Sequence, residues 1–145
     1  MNDNRNAERW RIRECRADEA AAVLDLWRQA GATPSITDTV EALQDAIGHP
    51  AAVVLVAEAG RELVGSIIGT FDGWRGNIYR LAVHPAHRRQ GMARALVAAV
   101  EERVRQSAAT RITALVEREH PDAAGFWEAA GYEQDQRIAR YCRKV

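Results

Sequence analysis

The sequence has a single lysine, two cysteines and no long apolar run, and the last two scarcities each exclude a class of protein. Lys144 is the one lysine among 20 basic residues, a bias that a genome rich in G and C produces without a functional cause. Cys15 and Cys142 form no CxxC motif and lack metal-ligand spacing, so we expect two reduced packing residues. No apolar stretch approaches the ~20 residues that span a bilayer. The polar stretch MNDNRNAERWRIREC lacks the apolar centre of a secretory signal, so a cytoplasmic protein is expected.

The net charge and the length of the chain indicate its expected partners and its number of domains. The 145 residues carry a formal net charge of zero, so nothing at the level of the whole chain favours nucleic acid or an anionic membrane as a partner. The sequence contains no internal repeat, low-complexity tract or linker rich in Gly and Ser, and we expect one domain over residues 1–145. His84 and His87 are three positions apart but lack a third ligand, so no metal site is predicted.

Hydrophobic periodicity predicts a mixed α/β sheet with the element order β-α-α-β-β-β-α-β-α-β. Strands are expected at residues 10–15, 53–58, 63–71, 78–83 and 111–117, with one or two edge strands at 132–133 and 138–142. Helices are expected at residues 20–30, 39–47, 90–106 and 121–131. Asp18 is expected to cap the first helix, and Thr37 or Asp38 the second.

The stretch LAVHPAHRRQGMA, residues 81–93, places two arginines and a glycine between the fourth strand and the clearest helix. The first N–H groups of a helix lack internal acceptors, and the helix dipole adds partial positive charge there. Gly91 and Ala93 leave room for a ligand to approach the backbone, while Arg88 and Arg89 add full positive charge. This combination predicts a phosphate or pyrophosphate site that needs no metal. The alternative is a plain loop with two solvated arginines.

Segment 88–93, RRQGMA, resembles the Arg/Gln-x-x-Gly-x-Gly/Ala signature of the GNAT N-acetyltransferase superfamily. The similarity continues through GSIIGTFDGWRGNIYRLAVHPAHRRQGMARALV and AAGFWEAAGYE, and GWRGNIYRLAVHP is particularly similar to small bacterial YpeA-like members. The resemblance implies the GNAT fold, with strands four and five splayed apart at a bulge, and acetyl-CoA (CoA) as cofactor. The cofactor-binding residues that it implies are Leu81, Ala82, Val83, Arg88, Arg89, Gln90, Gly91, Met92, Ala93, Arg94, His120 and Trp127.

The same resemblance implies direct transfer of an acetyl group from the thioester to a primary amine of a small molecule, an amino acid or a protein N-terminus. Pantetheine is expected along the backbone of Leu81 and Val83, and the Val83 amide is expected to stabilise the tetrahedral oxyanion. A carboxylate or a water chain must accept the proton of the amine. Glu117 and Glu119 are candidates by location, with a solvated loop as the alternative. Tyr79 alternates with Leu81 and Val83, which predicts a shared face and makes it a candidate catalytic residue.

The sequence departs from the family pattern where the acid that protonates the CoA thiolate normally lies. The usual Asn-x-x-Ala-x-x-Leu/Phe-Tyr is here HPDAAGFW, with His120 at the Asn position and Trp127 at the Tyr position. An indole N–H donates a hydrogen bond but supplies no proton near neutral pH. Tyr79 or Tyr132 is left as a substitute, or water protonates the thiolate, or catalysis is weak. Trp127 lies at helical spacing with Ala123 and Ala130 and next to Phe126, which indicates core packing.

Two other functions stay open on the sequence alone. Trp127 in place of tyrosine is compatible with a non-catalytic acyl-CoA-binding or sensing module on the same fold, and the RRQG segment with a generic phosphate-binding α/β protein. The expected partner is a small-molecule or peptide amine, with no nucleic acid and no membrane, and a homodimer is compatible with this interpretation. Trp74 and Arg75, between strands three and four, are expected beside the acceptor cleft.

Overall fold

The computed structural model describes residues 9–118, 120 and 122–145, and five strands in it form one sheet in the order β1-β2-β3-β4-β5. The strands are β1 (Arg11–Glu14), β2 (Ala52–Ala59), β3 (Glu62–Phe71), β4 (Gly76–Val83) and β5 (Ile112–Ala114), and the helices are α1 (Ala20–Gln29), α2 (Val40–Ile47), α3 (Met92–Gln106) and α4 (Ala123–Ala129). The predicted mixed α/β sheet is confirmed. None of the helices that the structure describes combines the length and the apolar character that crossing a membrane requires.

The strand pairing follows from how the strands are connected. The first four strands form an antiparallel meander, and β5 joins it parallel to β4. β2 and β3 are rich in β-branched residues and are joined by a tight turn at Gly60, whose φ of +63° glycine adopts at little cost. β4 and β5 are joined through α3, because neighbouring parallel strands need a crossover rather than a tight turn.

Helices cover both faces of the sheet. α3 lies so close to one face that a Cβ added at Gly69 of β3 would lie 2.5 Å from Val100 Cγ1. On the other face α1 and α2 pack on β2 and β4 through a buried cluster of Cys15, Ala20, Val23, Trp27, Leu43, Val54, Val56 and Ala82. Helices on both faces remove the apolar side chains of the sheet from water, which is the main favourable term in folding.

The cap of α2 differs from the sequence expectation. The helix is capped by Thr39, whose Oγ1 accepts a hydrogen bond from the Ala42 N–H at 3.1 Å, and not by Thr37 or Asp38. The Asp38 carboxylate instead forms an ion pair with Arg80 of β4, with 2.7 Å between Oδ2 and Nη2, so the Asp38 side chain is directed toward β4. Helix α2 therefore begins one residue later than expected.

Helix α1 also begins without its expected cap. A 3₁₀ turn over Ala17–Glu19 precedes it, and Glu19 Oε1 accepts a hydrogen bond from the Arg16 N–H at 2.9 Å. Asp18 instead forms an exposed ion pair with Arg16, with 3.3 Å between Oδ1 and Nε. The Glu19 side chain is long enough to reach the N–H of Arg16, three residues earlier, and this is the geometry of a capping box.

The chain divides into two compact units, one ending at Leu115 and one beginning at Val116. The second unit contains α4, and its described residues contain no strand, so the predicted edge strands at 132–133 and 138–142 are wrong. A local turn replaces the strand pattern: Asp135 Oδ1 accepts from the Arg137 N–H at 3.1 Å, and Asp135 O from the Ile138 N–H at 3.3 Å. Aspartate stabilises such turns because its side chain accepts from the backbone two residues further on.

Candidate active site

A β-bulge interrupts β4 at the centre of the candidate site. Arg80 and Leu81 lie opposite a single residue of β3, Ile67, so β4 carries one extra residue there. Arg80 takes the left-handed backbone conformation with φ +54°, which is uncommon for a residue with a side chain. The resemblance implied a bulge in this strand, and the register shift between β3 and β4 shows one.

The bulge changes which side chains share a face of β4. Tyr79 pairs with Ile68, which packs on the cluster beneath α1 and α2. Val83 pairs with Gly65, whose added Cβ would contact Met92 of α3. Paired residues point to the same side of a sheet, so Tyr79 and Val83 lie on opposite faces. The expectation that Tyr79 shares the face of Val83 is wrong, because the extra residue shifts the alternation by one.

The pairing between β4 and β5 ends just before the bulge. The two strands pair from Gly76 to Ile78 of β4, and the Leu115 N–H donates to Ile78 O at 3.1 Å. β5 ends at Ala114, whereas β4 continues for five more residues to Val83. The second half of β4 is therefore unpaired on the side of β5 among the described residues, which is compatible with the splay that the resemblance implied.

The main-chain N–H of Val83 points away from β3. The His84 N–H donates to Val64 O of β3 at 2.8 Å. Successive amides of a strand point to opposite sides, so the N–H of Val83, one residue earlier, points away from β3. The Val83 carbonyl oxygen likewise accepts from Arg88 Nε at 3.3 Å and not from β3. An amide N–H on this side of β4 is available to a ligand that lies along the strand.

The start of α3 gives open access to the backbone. Gly91 is the N-cap of α3 with φ +78°, and a Cβ added there would meet no atom within 4 Å. Arg89, two residues earlier, is also left-handed with φ +63°. Met92 is 1% exposed and packs its side chain into the core, so the first turn of the helix is anchored while its amides face outward. This geometry suits a bound anion.

The two predicted arginines behave differently. Arg88 Nη2 donates to Ala30 O at 3.1 Å in addition to the contact of its Nε with Val83 O, so its guanidinium bridges the end of β4 and the end of α1. Arg89 and Arg94 are exposed on the loop and on the first turn of α3. The positive charge expected at the helix start is present, but Arg88 contributes it from a fixed position against the backbone.

The second unit holds the remaining predicted residues. Glu117 is exposed, and its carbonyl oxygen accepts from the His120 N–H at 3.3 Å. His120 Nδ1 is buried and has no hydrogen-bond partner among the residues that the structure describes. Glu119 lies outside the described residues. None of these observations assigns a catalytic role.

Trp127 of α4 is a packing residue in the structure. It is 8% exposed, and its ring lies edge-to-face with Phe126 at 5.2 Å and with Tyr132 at 5.0 Å between ring centroids. Edge-to-face aromatic pairs contribute about 1 kcal/mol beyond the area they bury. Tyr132 is thereby also held in an aromatic cluster.

Sequence reasoning missed the most strongly bound side chain at the bulge, Arg80. Its Nη2 lies 2.7 and 2.9 Å from the two carboxylate oxygens of Asp38, and its Nη1 donates to Thr33 O at 2.9 Å. Its guanidinium also lies 5.1 Å from the ring centroid of Trp27, whose Nε1 donates to the buried Ser66 Oγ at 2.8 Å. The available signal was an arginine inside the apolar strand NIYRLAV, where a charged side chain needs a partner.

Trp74 does not lie near the start of α3. It is 72% exposed in the turn between β3 and β4, with the Arg75 guanidinium 3.9 Å from its ring centroid. That turn precedes Gly76, whereas the helix start follows Val83, and the eight residues of β4 separate the two by roughly 25 Å. The expectation that Trp74 borders the acceptor cleft finds no support at this end of β4.

Comparison with known proteins identifies the family. The model of the acetyltransferase (GNAT) family matches residues 20–132. An acetyltransferase of Pectobacterium atrosepticum is 33% identical over 122 residues, covering 84% of this chain and 86% of that relative. The PaiA N-acetyltransferase of Thermoplasma acidophilum, solved with coenzyme A, has a TM-score of 0.78 at 15% identity, covering 87% of this chain and 91% of that one. An aminoglycoside 6'-N-acetyltransferase of Acinetobacter haemolyticus has a TM-score of 0.77 at 16% identity, covering 93% and 99%. The resemblance seen in the sequence is confirmed, and the chain belongs to the acetyltransferase (GNAT) family.

Proposed function

We propose that this protein transfers the acetyl group of acetyl-CoA directly to a primary amine of a small molecule, an amino acid or a protein N-terminus. The observation that carries the proposal is the separation of β4 from β5 after Ile78, beside a helix that starts at an open glycine. The amides of the pantetheine arm can pair with a free strand edge, and the diphosphate of CoA can bind a cluster of outward N–H groups. The unpaired edge of β4 and the start of α3 offer both within one short segment.

The cofactor would be held mainly by backbone. The amides at the start of α3, from Gly91 to Ala93, would bind the diphosphate, with Arg89 and Arg94 adding positive charge. The pantetheine arm would lie along β4 with its amides hydrogen-bonded to Leu81 and Val83, in the manner of an added strand. The outward N–H of Val83 and the open space at Gly91 support this fit.

The proposed chemistry uses few side chains. The amine nitrogen attacks the carbonyl carbon of the thioester, the Val83 N–H stabilises the resulting oxyanion, and the carbon–sulfur bond then breaks. The proton lost by the amine goes to a carboxylate or to water, and the thiolate takes a proton from water. A non-catalytic acyl-CoA-binding module is not favoured, because the family match is to acetyltransferases.

We propose that residues 1–145 work as a single functional domain. The family match runs from residue 20 to residue 132 and therefore includes parts of both compact units. If the proposal is right, removal of residues 116–145 should abolish acetyl transfer.

Binding of CoA tests the cofactor site directly. We expect Gly91→Glu to weaken CoA binding at least about tenfold, or ~1.4 kcal/mol, because a carboxylate at the helix start repels the diphosphate. Gly91→Gln separates charge from bulk and should weaken binding less. Isothermal titration calorimetry with CoA measures both.

Gly73→Glu is the matched control for this experiment. Gly73 also has a positive φ, +92°, and open space around its Cβ position, but it lies in the turn before β4. The same backbone strain and the same charge should leave CoA binding unchanged there. Equal affinity of the Gly91→Glu variant and the wild type would contradict the proposed site. Release of CoA thiol with a panel of amines then tests catalysis.

A further inference from the structure

We infer that Arg80 is a positioning residue for the acceptor amine, an inference that rests on the proposed function. The side chain leaves the β4 bulge and binds the connection between α1 and α2, residues 30–39, through Asp38 and Thr33. The two side chains of the ion pair are each 19% exposed, so solvent screens their attraction only in part. Because Nη2 contacts the Asp38 carboxylate while Nη1 donates to Thr33 O, the orientation of the guanidinium is fixed by two partners.

The backbone conformation of Arg80 is coupled to this contact. A left-handed conformation is unfavourable for a non-glycine residue, because its Cβ lies too close to the following carbonyl oxygen, and Arg80 has φ +54°. The guanidinium contacts with Asp38, Thr33 and the ring of Trp27 offset this cost. The side chain therefore stabilises the bulge, and the bulge directs the side chain toward the connection.

Within the connection, the Asp38 carboxylate accepts hydrogen bonds both from the backbone and from Arg80. Asp38 Oδ2 accepts from the Ser35 N–H at 3.0 Å as well as from Arg80 Nη2 at 2.7 Å. At the other end of the connection Ala30 O accepts from Arg88, the residue that also contacts Val83 O. Residues 30–38 are thus attached to β4 at the bulge and to the loop that precedes α3.

This attachment places the connection beside the reacting centre. The cofactor would occupy the splayed edge of β4, with its acetyl group near the Val83 amide and the bulge. The Arg80 side chain extends from the bulge to the face covered by α1, as its contact with Trp27 shows. An amine that approaches the acetyl carbon from that face passes residues 33–38. Their position should therefore determine how well the amine binds, and not how well the cofactor binds.

Four variants test this role, and two of them separate the side chain from the backbone. Arg80→Gly keeps the positive φ without strain but removes the guanidinium, whereas Arg80→Ala removes the guanidinium and keeps the strain. Asp38→Asn removes the carboxylate charge, and Asp38→Glu is the conservative rescue. Asp25→Asn is the control, because it removes a comparable carboxylate from the exposed Arg28 pair of α1.

The measurements are CoA affinity by calorimetry and steady-state transfer to a fixed set of amines. The amines are the twenty amino acids, 2-phenylethylamine, spermidine and an Ala-initiated tripeptide, and the best acceptor of the wild type is used throughout. We expect Arg80→Gly and Asp38→Asn to raise the KM of that amine tenfold or more, with kcat within threefold and CoA affinity within twofold. Hydrogen exchange at residues 33–38 should become faster in Arg80→Gly, and Asp38→Glu and Asp25→Asn should behave as the wild type.

The measurements distinguish failure of this inference from failure of the proposed function. CoA binding by the wild type without transfer to any of these amines contradicts the proposed function and this inference with it. Transfer by the wild type with an unchanged amine KM in Arg80→Gly overturns the inference alone. Weaker CoA binding in Arg80→Gly at unchanged amine KM also overturns it, because Arg80 would then act on the cofactor side.

Discussion

Left-handed backbone at residues with side chains is concentrated near the candidate site. Among the described residues three non-glycines have a positive φ, and two of them, Arg80 and Arg89, lie at the bulge and next to the helix start. Each such residue costs of order 1 kcal/mol and persists where its surroundings compensate. For Arg80 the compensation is visible in the contacts with Asp38 and Thr33. The two strained residues therefore lie close to the point where β4 stops pairing with β5 and at the turn into α3.

Trp127 carries a prediction at the residue scale. Because its ring packs between Phe126 and Tyr132 and is 8% exposed, we expect Trp127→Tyr to lower the free energy of unfolding by about 1–2 kcal/mol. The pH profile of acetyl transfer should stay unchanged, since the new hydroxyl replaces a packing group. Thermal or denaturant unfolding and a rate profile from pH 6 to pH 9 measure the two effects.

Trp127→Phe is the control for that variant, because it loses the same indole area without gaining a hydroxyl. Both variants should be destabilised to a similar extent and show the same pH profile. A rise in turnover above pH 7 in Trp127→Tyr alone would show that the thiolate acid limits the rate at this position.

At the scale of elements, the contact between α3 and the sheet depends on small residues. A Cβ added at Gly65 would lie 2.8 Å from Met92 Sδ, and one at Gly69 would lie 2.5 Å from Val100 Cγ1. A Cβ at Gly76 would also meet Val104. Three glycines on one face of β3 and β4 therefore let the helix approach the sheet closely, and α3 in turn holds Gly91 at the candidate site.

We expect Gly69→Ala to lower the free energy of unfolding by about 1–3 kcal/mol, because the added methyl group overlaps Val100. Combining it with Val100→Ala should recover part of the loss, so that the two changes are not additive in a double-mutant cycle. Denaturant unfolding of the single and double variants measures the coupling.

Gly125→Ala provides the matched comparison for Gly69→Ala. Gly125 lies within α4, and a Cβ there would meet no atom within 4 Å. Alanine in a helix is favoured over glycine by about 0.5–1 kcal/mol, so this change should be neutral or stabilising. A similar loss at both positions would contradict the close approach of α3.

The extent of β5 shows why pattern alone predicts some elements better than others. Residues 111–117 have a β-forming composition, yet the strand ends at Ala114, whose partner Ile78 lies two residues before the bulge of β4. The helix start at Gly91 was predictable, since its glycine and small neighbours act locally. Arg80 and Asp38 were not, because their contact joins residues 42 positions apart and depends on an extra residue in one strand.

At the scale of the whole molecule, an ion-pair network ties β1 to β2 and to the start of α1. Arg13 Nη1 and Nη2 each lie 2.7 Å from a carboxylate oxygen of Glu19, and Arg13 Nε lies 2.9 Å from Glu58. Its hydrogen bonds lower the pKa of Glu19 to about 2 from an ordinary value near 4.5. The Glu19 side chain is 11% exposed, so this interaction is weakly screened.

This network predicts how stability depends on pH. A depressed carboxyl pKa contributes stability that is complete above about pH 4.5 and is lost as the pH falls through about 2. Glu19→Gln should therefore lower the free energy of unfolding by about 2 kcal/mol at pH 7, and the difference from the wild type should disappear near pH 2. Denaturant unfolding from pH 2 to pH 8 measures it.

Glu102→Gln is the control, because Glu102 pairs with Arg105 on the exposed surface of α3. Exposed pairs of this kind contribute about 0–1 kcal/mol, so the variant should follow the wild type at every pH. A loss in Glu19→Gln that persists unchanged to pH 2 would show that packing, not charge, is the cause.

The early end of β5 has a consequence for how this protein discriminates among ligands. Beyond Ile78, the edge of β4 that faces away from β3 pairs with no strand of the described residues, and the Val83 N–H points to that side. A ligand with amides along its length would bind this edge through main-chain contacts, which side-chain substitutions leave in place. Variants that change side chains elsewhere should therefore alter the choice of acceptor more readily than the use of acetyl-CoA.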